Sequence, residues 1–306
     1  MTTNPPQITA TSWALVGVLS LTWGGAFLAM EMGLEGVPPF WLAASRILLG
    51  SLLMGAIIWA RGKPLFTEPG ARPWGRLFVI GLLSSALPFA LLCWGQQYVT
   101  SGFAGVSMAA VALFVLPMAH LMIPGEGMTW RTSLGFVIGF AGVVFLIGAQ
   151  AFDTTGAALE PAGRLACLAA AGCYALSSVM MRKLPPCDPV TLAGVLLAIG
   201  AVLAVPLAWA VEGPPSLPQG ASLWWVIYLG LVPTAFANVL RVVLVRTAGP
   251  VFMSLVNYLV PVWSVLLGWI VLSEPLPSSL LLALILILAG MALSQGAALR
   301  RLLLRA

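Results

Sequence analysis

Charge is scarce in this chain, and that scarcity excludes most soluble folds. Only 8% of residues are Asp, Glu, Lys or Arg, against 60% hydrophobic and a mean hydropathy of +1.04. A soluble domain carries about 25% charged residues. Histidine is rarer still, with His120 the only one, so H-E-x-x-H motifs and histidine-based metal clusters are excluded. Gly105-Val106-Ser107 loosely suggests a serine nucleophile. However, His120 lies on the same hydrophobic run, about 20 Å away by helical rise, whereas a nucleophile and its base need about 3 Å. No G-x-x-x-x-G-K-[ST] sequence is present to bind ATP. Cysteine is sparse too. Cys93, Cys167 and Cys173 fall in hydrophobic runs and Cys187 in a short loop, a spacing that fits neither zinc nor a disulfide framework. Catalytic residues, cofactors and bound metals are therefore not expected.

What is present is hydrophobic length. A bilayer span needs about 20 mostly apolar residues, and ten segments meet that need: 12–30, 39–60, 75–97, 102–123, 132–149, 163–181, 189–211, 222–245, 250–272 and 279–297. These runs are continuous, unlike barrel strands, which alternate over about 10 residues. No connection is long enough for a separate soluble domain. Met1–Thr11 lacks the basic region of a signal peptide, so the first span is expected to stay as a helix.

The few charges are unevenly spread. With the N-terminus placed inside, inner loops hold Arg61, Lys63, Arg72, Arg76, Arg131, Arg182, Lys183, Arg246, Arg300, Arg301 and Arg305. The outer loops hold only Arg164, with Glu31, Glu35, Asp153, Glu160, Glu212 and Glu274. The positive-inside rule then places both termini in the cytoplasm. Basic residues so dispersed do not make a nucleic-acid surface.

The chain also repeats itself. A P-G-E loop at Glu126 precedes the uncharged run Trp130–Gly148, and S-E-P at Glu274, 148 residues later, precedes another. Upstream the correspondence continues as Gly81 with Gly230, Gly50 with Gly200 and Trp23 with Tyr174. Five spans per copy is an odd number, so the second copy enters the membrane from the opposite side. The expected architecture is an all-α integral membrane protein of ten transmembrane helices in two inverted repeats, residues 1–150 and 151–306. That arrangement is common in secondary transporters, with the site between the halves.

Three stretches carry a family resemblance: W-G-G-A-F in the first span, P-P-F-W-L-A-A-S-R-I-L-L-G in the second, and S-L-V-N-Y-L-V-P-V-W-S-V-L-L-G-W-I-V-L-S-E-P-L in the ninth. They resemble the EamA repeats of the drug/metabolite transporter superfamily, over nearly the whole chain. The resemblance implies a ten-helix bacterial inner-membrane carrier, often an exporter of amino acids or other metabolites. Within the superfamily the YddG-like aromatic amino-acid exporter branch is one home. The first half departs from the pattern, with Leu113 where the second half has Pro261, and Pro117 four residues on.

Candidate substrate contacts come from polar and aromatic groups at mid-membrane depth. Most of the twelve tryptophans lie towards span ends as an interfacial belt, but Trp23 and Trp263 are central. Asn238 and Asn257 carry amides that need partners in hydrocarbon, and Tyr174 and Tyr258 add aromatic walls with hydroxyls. Ser84, Ser85, Ser107, Ser177, Ser178, Thr234 and Ser264 also lie mid-membrane, but such hydroxyls commonly bond back to their own helix. Arg46 lies about 10 Å inside the second span. It can snorkel outward, pair with Glu31, or meet a substrate carboxylate. His120 could sense pH near the inner end of the fourth span, or serve structurally. Pro117 and Pro261 could hinge their helices.

These residues suit a carrier of small organic metabolites, amino acids foremost, working by alternating access around a central cavity. A phosphorylated solute would want clustered Arg or Lys, which the mid-membrane lacks. No Asp or Glu stands mid-span to relay protons, so coupling is expected not to rely on a midplane carboxylate. The lipid bilayer and a small solute are the expected partners, without nucleic acid, and a monomer would suffice. A receptor or scaffold without transport, and an intramembrane enzyme, are the alternatives.

Overall fold

The computed structural model describes residues 8–70, 72–123, 129–148, 158–215, 220–248 and 250–303. Ten helices cross in sequence. They are α1 (Ala10–Leu34), α2 (Pro39–Arg61), α3 (Trp74–Gly81, Leu82–Ala86 and Leu87–Gly95), α4 (Ser101–Met122) and α5 (Trp130–Gly148). The second set is α6 (Glu160–Met181), α7 (Pro189–Glu212), α8 (Ala221–Leu229, Gly230–Phe236 and Ala237–Ala248), α9 (Pro250–Leu272) and α10 (Ser278–Leu303). Eight of them contain a stretch long and apolar enough to span a membrane; α5 and α10 carry the shorter runs Trp130–Leu146 and Ser278–Ser294. α1 begins and α10 ends on one face, called here the terminal face; the other is the distal face.

The main packing pairs are preserved when each helix is exchanged for the one five places along. α5 packs on α10, α2 on α7 and α4 on α9, each pair being its own counterpart. α4 packs on α6 as α9 packs on α1, and α3 on α6 as α8 on α1. Two peripheral pairs hold the frame. In α5–α10, Gly135 and Gly139 lie against Gly290, where an added Cβ would come within 2.6 Å of the facing backbone. Small residues let helix backbones meet where lipid supplies no hydrophobic drive. The α2–α7 pair is clamped at both ends. Asp188 caps α7 through the Thr191 N–H and pairs with Arg61 at 2.8 Å, while Glu212 accepts from the Phe40 and Trp41 N–H groups at 3.0 and 2.9 Å. Burial alone would raise the Asp188 carboxyl, but bonds from Arg61 and Thr191 more than offset it and hold it well below the carboxylate range.

Leu82–Ala86 in α3 and Gly230–Phe236 in α8 wind as π-helix, at corresponding places in the two repeats. Pro88 and Pro233 accompany them. Proline removes an N–H and crowds the preceding turn, and a wider turn relieves both. Pro117, Pro206 and Pro261, by contrast, sit inside helices that stay α-helical throughout. Opposite each π segment stands a glycine. A Cβ on Gly50 would meet Thr234 Cγ2 at 2.7 Å, and one on Gly200 would meet Ser85 Cβ at 2.6 Å.

The bundle is closed at its distal face and open towards its terminal face. Every residue of α4 from Ser101 to Ser107 is buried, yet from Val111 to Met118 only Leu113 is. α4 has α1, α5, α6, α9 and α10 around it, so that exposure faces an internal space rather than lipid. α6 changes in the same sense at Gly172, where an added Cβ would touch nothing within 4 Å. Most of the tryptophan belt is exposed, Trp59 to 87% and Trp130 to 73%. Trp41 departs from the belt: it is buried, and its indole donates to the Gly213 carbonyl at 3.0 Å.

Candidate functional site

Arg46 is the strongest polar feature of the interior. It neither snorkels nor pairs with Glu31, the two structural roles open to it from sequence. It is 3% exposed, and its Nε and Nη2 both donate to one oxygen, Thr234 Oγ1, at 3.3 and 3.2 Å. Thr234 Oγ1 in turn donates to the Leu229 carbonyl at 2.7 Å, across the π turn. The guanidinium lies over the Phe89 ring, 4.2 Å from its centroid, and Phe89 meets Tyr174 edge to face at 6.2 Å. Nη1 has no partner among the described residues. A guanidinium offers five donors, and a buried unpaired charge is costly. The arrangement therefore leaves one buried corner of the fork as the point where an anion would pair with its charge.

The two π segments build this site. The one in α8 turns Thr234 towards Arg46 and leaves the Pro233 carbonyl free to accept from Trp23 Nε1 at 3.1 Å. Asn238 Nδ2 donates to the Thr234 carbonyl at 2.6 Å. Four sequence candidates, Trp23, Arg46, Tyr174 and Asn238, thus converge on one crossing. Trp263 stands next to it, because Gly24 rests against Trp263 Cβ at a built distance of 2.5 Å. The Ser84 hydroxyl, in the α3 π segment, is buried without a described partner.

Other candidates lie apart. Tyr258 donates to the Met291 carbonyl of α10 at 2.7 Å, a tie between helices. Asn257 is exposed, yet shares its helical face with the buried Met253, Val260 and Ser264, so it looks into the open half of the interior. His120 is exposed at the terminal end of α4, and Pro117 half-buried beside it. Phe89 and Pro233 were missed as site residues and Thr234 was counted only as a mid-span hydroxyl. A proline flanked by aromatic and small residues in both third spans was the available signal, but the π winding that aims them leaves no trace in composition. Among the described residues no group of His, Cys, Asp and Glu could hold a metal. The thiols at Cys93 and Cys167 are buried and unbridged.

Comparisons with known proteins agree with this architecture. The chain matches the EamA-like transporter family twice, over residues 10–148 and 161–295. It is 25% identical to the uncharacterized transporter YoaV of Bacillus subtilis, over 90% of this chain and 94% of that one. It is 30% identical to the uncharacterized inner membrane transporter YedA of Escherichia coli, over 82% of this chain and 79% of that protein. A probable terminal-alkyne amino-acid exporter from Streptantibioticus cattleyicolor is 28% identical over 92% of both. One protein of known crystal structure superposes with a TM-score of 0.67 at 25% identity, covering 96% of this chain and 99% of the other.

Proposed function

The chain belongs to the EamA-like transporter family, and from that premise we propose that it carries amino acids or close carboxylate relatives by alternating access. It is a multi-pass membrane transporter and not an enzyme. The observation that carries the finer reading is the buried guanidinium of Arg46, which, unlike the buried Arg164 paired with Glu160, has no described partner at Nη1 and lies over Phe89, with Tyr174 and Trp23 at the same crossing. One such cation neutralises one carboxylate; a phosphate would call for a cluster. Aromatic walls add apolar and stacking contact, which suits the aromatic amino-acid exporter branch. The likeness to a named amino-acid exporter supports the same class and an outward direction.

In this reading Arg46 holds the carboxylate, Trp23, Tyr174 and Trp263 wall the cavity, and Asn238 and Asn257 serve the remaining polar groups. Tyr258 supports α9 from behind, Pro117 and His120 lie towards the terminal end of α4, and Pro261 lies mid-helix in α9 beside Trp263. The repeats, residues 1–150 and 151–306, rock against each other about this point. Likeness to an inner membrane transporter and the basic loops support a bacterial inner-membrane location with the termini, and so the open face, towards the cytoplasm. Substrate counterflow in liposomes tests the proposal, with a panel of amino acids beside phosphorylated metabolites and cationic amines. Exchange of amino acids alone is expected, weakened in Trp263→Ala and Asn257→Ala. Exchange of amines or sugar phosphates with none of amino acids would overturn it.

A further inference from the structure

A second polar cluster, remote from Arg46, closes the distal face. Glu274, from the α9–α10 loop, accepts from the Ser101 and Gly102 N–H groups at 2.7 and 3.1 Å, capping α4 with both carboxylate oxygens. Its loop is tied back by the Glu274 N–H to the Gly268 carbonyl at 3.1 Å, with Ser273 in the left-handed region at φ 55°. Gly268 leaves the room: a Cβ there would stand 2.3 Å from Glu274 Oε2 and 2.8 Å from Ser101 Oγ. A second carboxylate, Glu31 on α1, lies within electrostatic reach of Glu274 and Glu35. It receives only a long bond from Gln96 Nε2, at 3.4 Å, and that amide also donates to the Phe27 carbonyl at 3.1 Å.

Two polar atoms in this cluster are unsatisfied. Gln96 is 1% exposed and Ser101 fully buried, and neither Gln96 Oε1 nor Ser101 Oγ has a described partner. The elements packed around this cluster carry Glu35 on α1, Arg46 on α2, Cys93 on α3, Tyr228 on α8, Glu274 beyond α9, and Glu160 and Arg164 on α6, which pair with each other. No cation among the described residues is bonded to Glu31 or Glu274. Two N–H groups of a helix N-terminus attract a carboxylate; a second carboxylate beside it, half-buried, repels the first.

We propose that Glu31 is a proton-binding site that couples closure of the distal face to protonation. As the α9–α10 loop docks on α4, Glu31 takes one proton from water on the distal side and becomes a neutral carboxyl. Its O–H supplies one donor to the side of the Gln96 amide, whose Oε1 has no described partner. Opening hydrates Glu31 and returns that proton to the same water, so the exchange balances with one proton and no other reactant. The proposal rests on the alternating-access reading but not on any substrate.

The test is labelling of Ser101→Cys by a membrane-impermeant maleimide from the distal side, without substrate, in liposomes. Rates are normalised to the exposed position in Leu159→Cys, and the parent chain with its four cysteines is the blank. Normalised labelling should be about tenfold slower in mild acid than in mild alkali, equivalent to about one unit of linkage. Glu31→Gln should be slow throughout, and Glu274→Gln fast throughout. An infrared pH titration should show a protonated-carboxyl band that Glu31→Gln removes, a readout that stands even if Ser101→Cys folds poorly. Labelling independent of pH with Glu31 present, or a dependence that survives Glu31→Gln, would overturn the proposal. So would protection restored by sodium at fixed pH, which would make this a metal-cation site. Failure of amino-acid counterflow would leave these results untouched.

Discussion

The two crossings of α2 with α8 and α7 with α3 are the same joint built twice, with different contents. In each a glycine, Gly50 or Gly200, rests on a π segment, against Thr234 or Ser85. One turn before the glycine, the first joint carries Arg46 and the second Leu196, which packs with Leu65, Leu77 and Ile80. The scaffold is symmetric and the charge is not. In the proposed function the symmetric scaffold supports the motion and the single charge of the first joint anchors the substrate.

Replacing the charge should have the largest effect. Arg46→Leu makes the first joint like the second, and carboxylate transport should fall at least about thirtyfold in kcat/KM, because unpairing a buried charge costs about 2–5 kcal/mol. Leu196→Met at the twin position should leave transport within about threefold and stability within about 1.5 kcal/mol. Equal losses at the two positions would dissolve the distinction.

The shared part of the joint should respond equally. Gly50→Ala and Gly200→Ala each press a Cβ to within 2.7 Å of a neighbour, so each should lower stability by about 1–3 kcal/mol. Thermal unfolding in detergent reads both. A loss at one position alone would show that the joints are not mechanical twins.

Smaller effects lie at the clamps. Asp188 has its carboxyl depressed in the folded chain by Arg61 and Thr191, against the opposing effect of burial. The folded value lies below the unfolded one of about 3.9. The resulting stability is present above that value and fades as pH falls through the folded one. Asp188→Asn should flatten the acid limb of a pH–melting curve, while Leu196→Met leaves it unchanged. Smallest of all, Tyr258→Phe should cost about 1 kcal/mol by losing its bond to Met291, with counterflow unaltered.

Helix number, the repeat and its inversion were legible because each depends on hydrophobic length and on parity, which composition records. Trp23, Arg46, Tyr174 and Asn238 were legible as polar or aromatic groups too costly to leave in lipid. What was hidden depends on winding and register. The π turns decide that Thr234 faces Arg46 and that Pro233 offers its carbonyl to Trp23. Tyr258 had the same composition signal as Tyr174, yet helix rotation sends it to α10. Glu31 and Glu274 read as loop acids, since nothing in their spacing says that α4 begins between them. Glu126, the repeat partner of Glu274, lies outside the described residues.

The most direct measurement is the preference for a substrate over its carboxamide, compared in liposome counterflow for the natural chain and for Arg46→Gln. The account requires the natural chain to prefer the acid by at least about thirtyfold, equivalent to about 2 kcal/mol for a charged hydrogen-bonded contact, and the variant to lose that preference. An acid preference that survives in Arg46→Gln would contradict it.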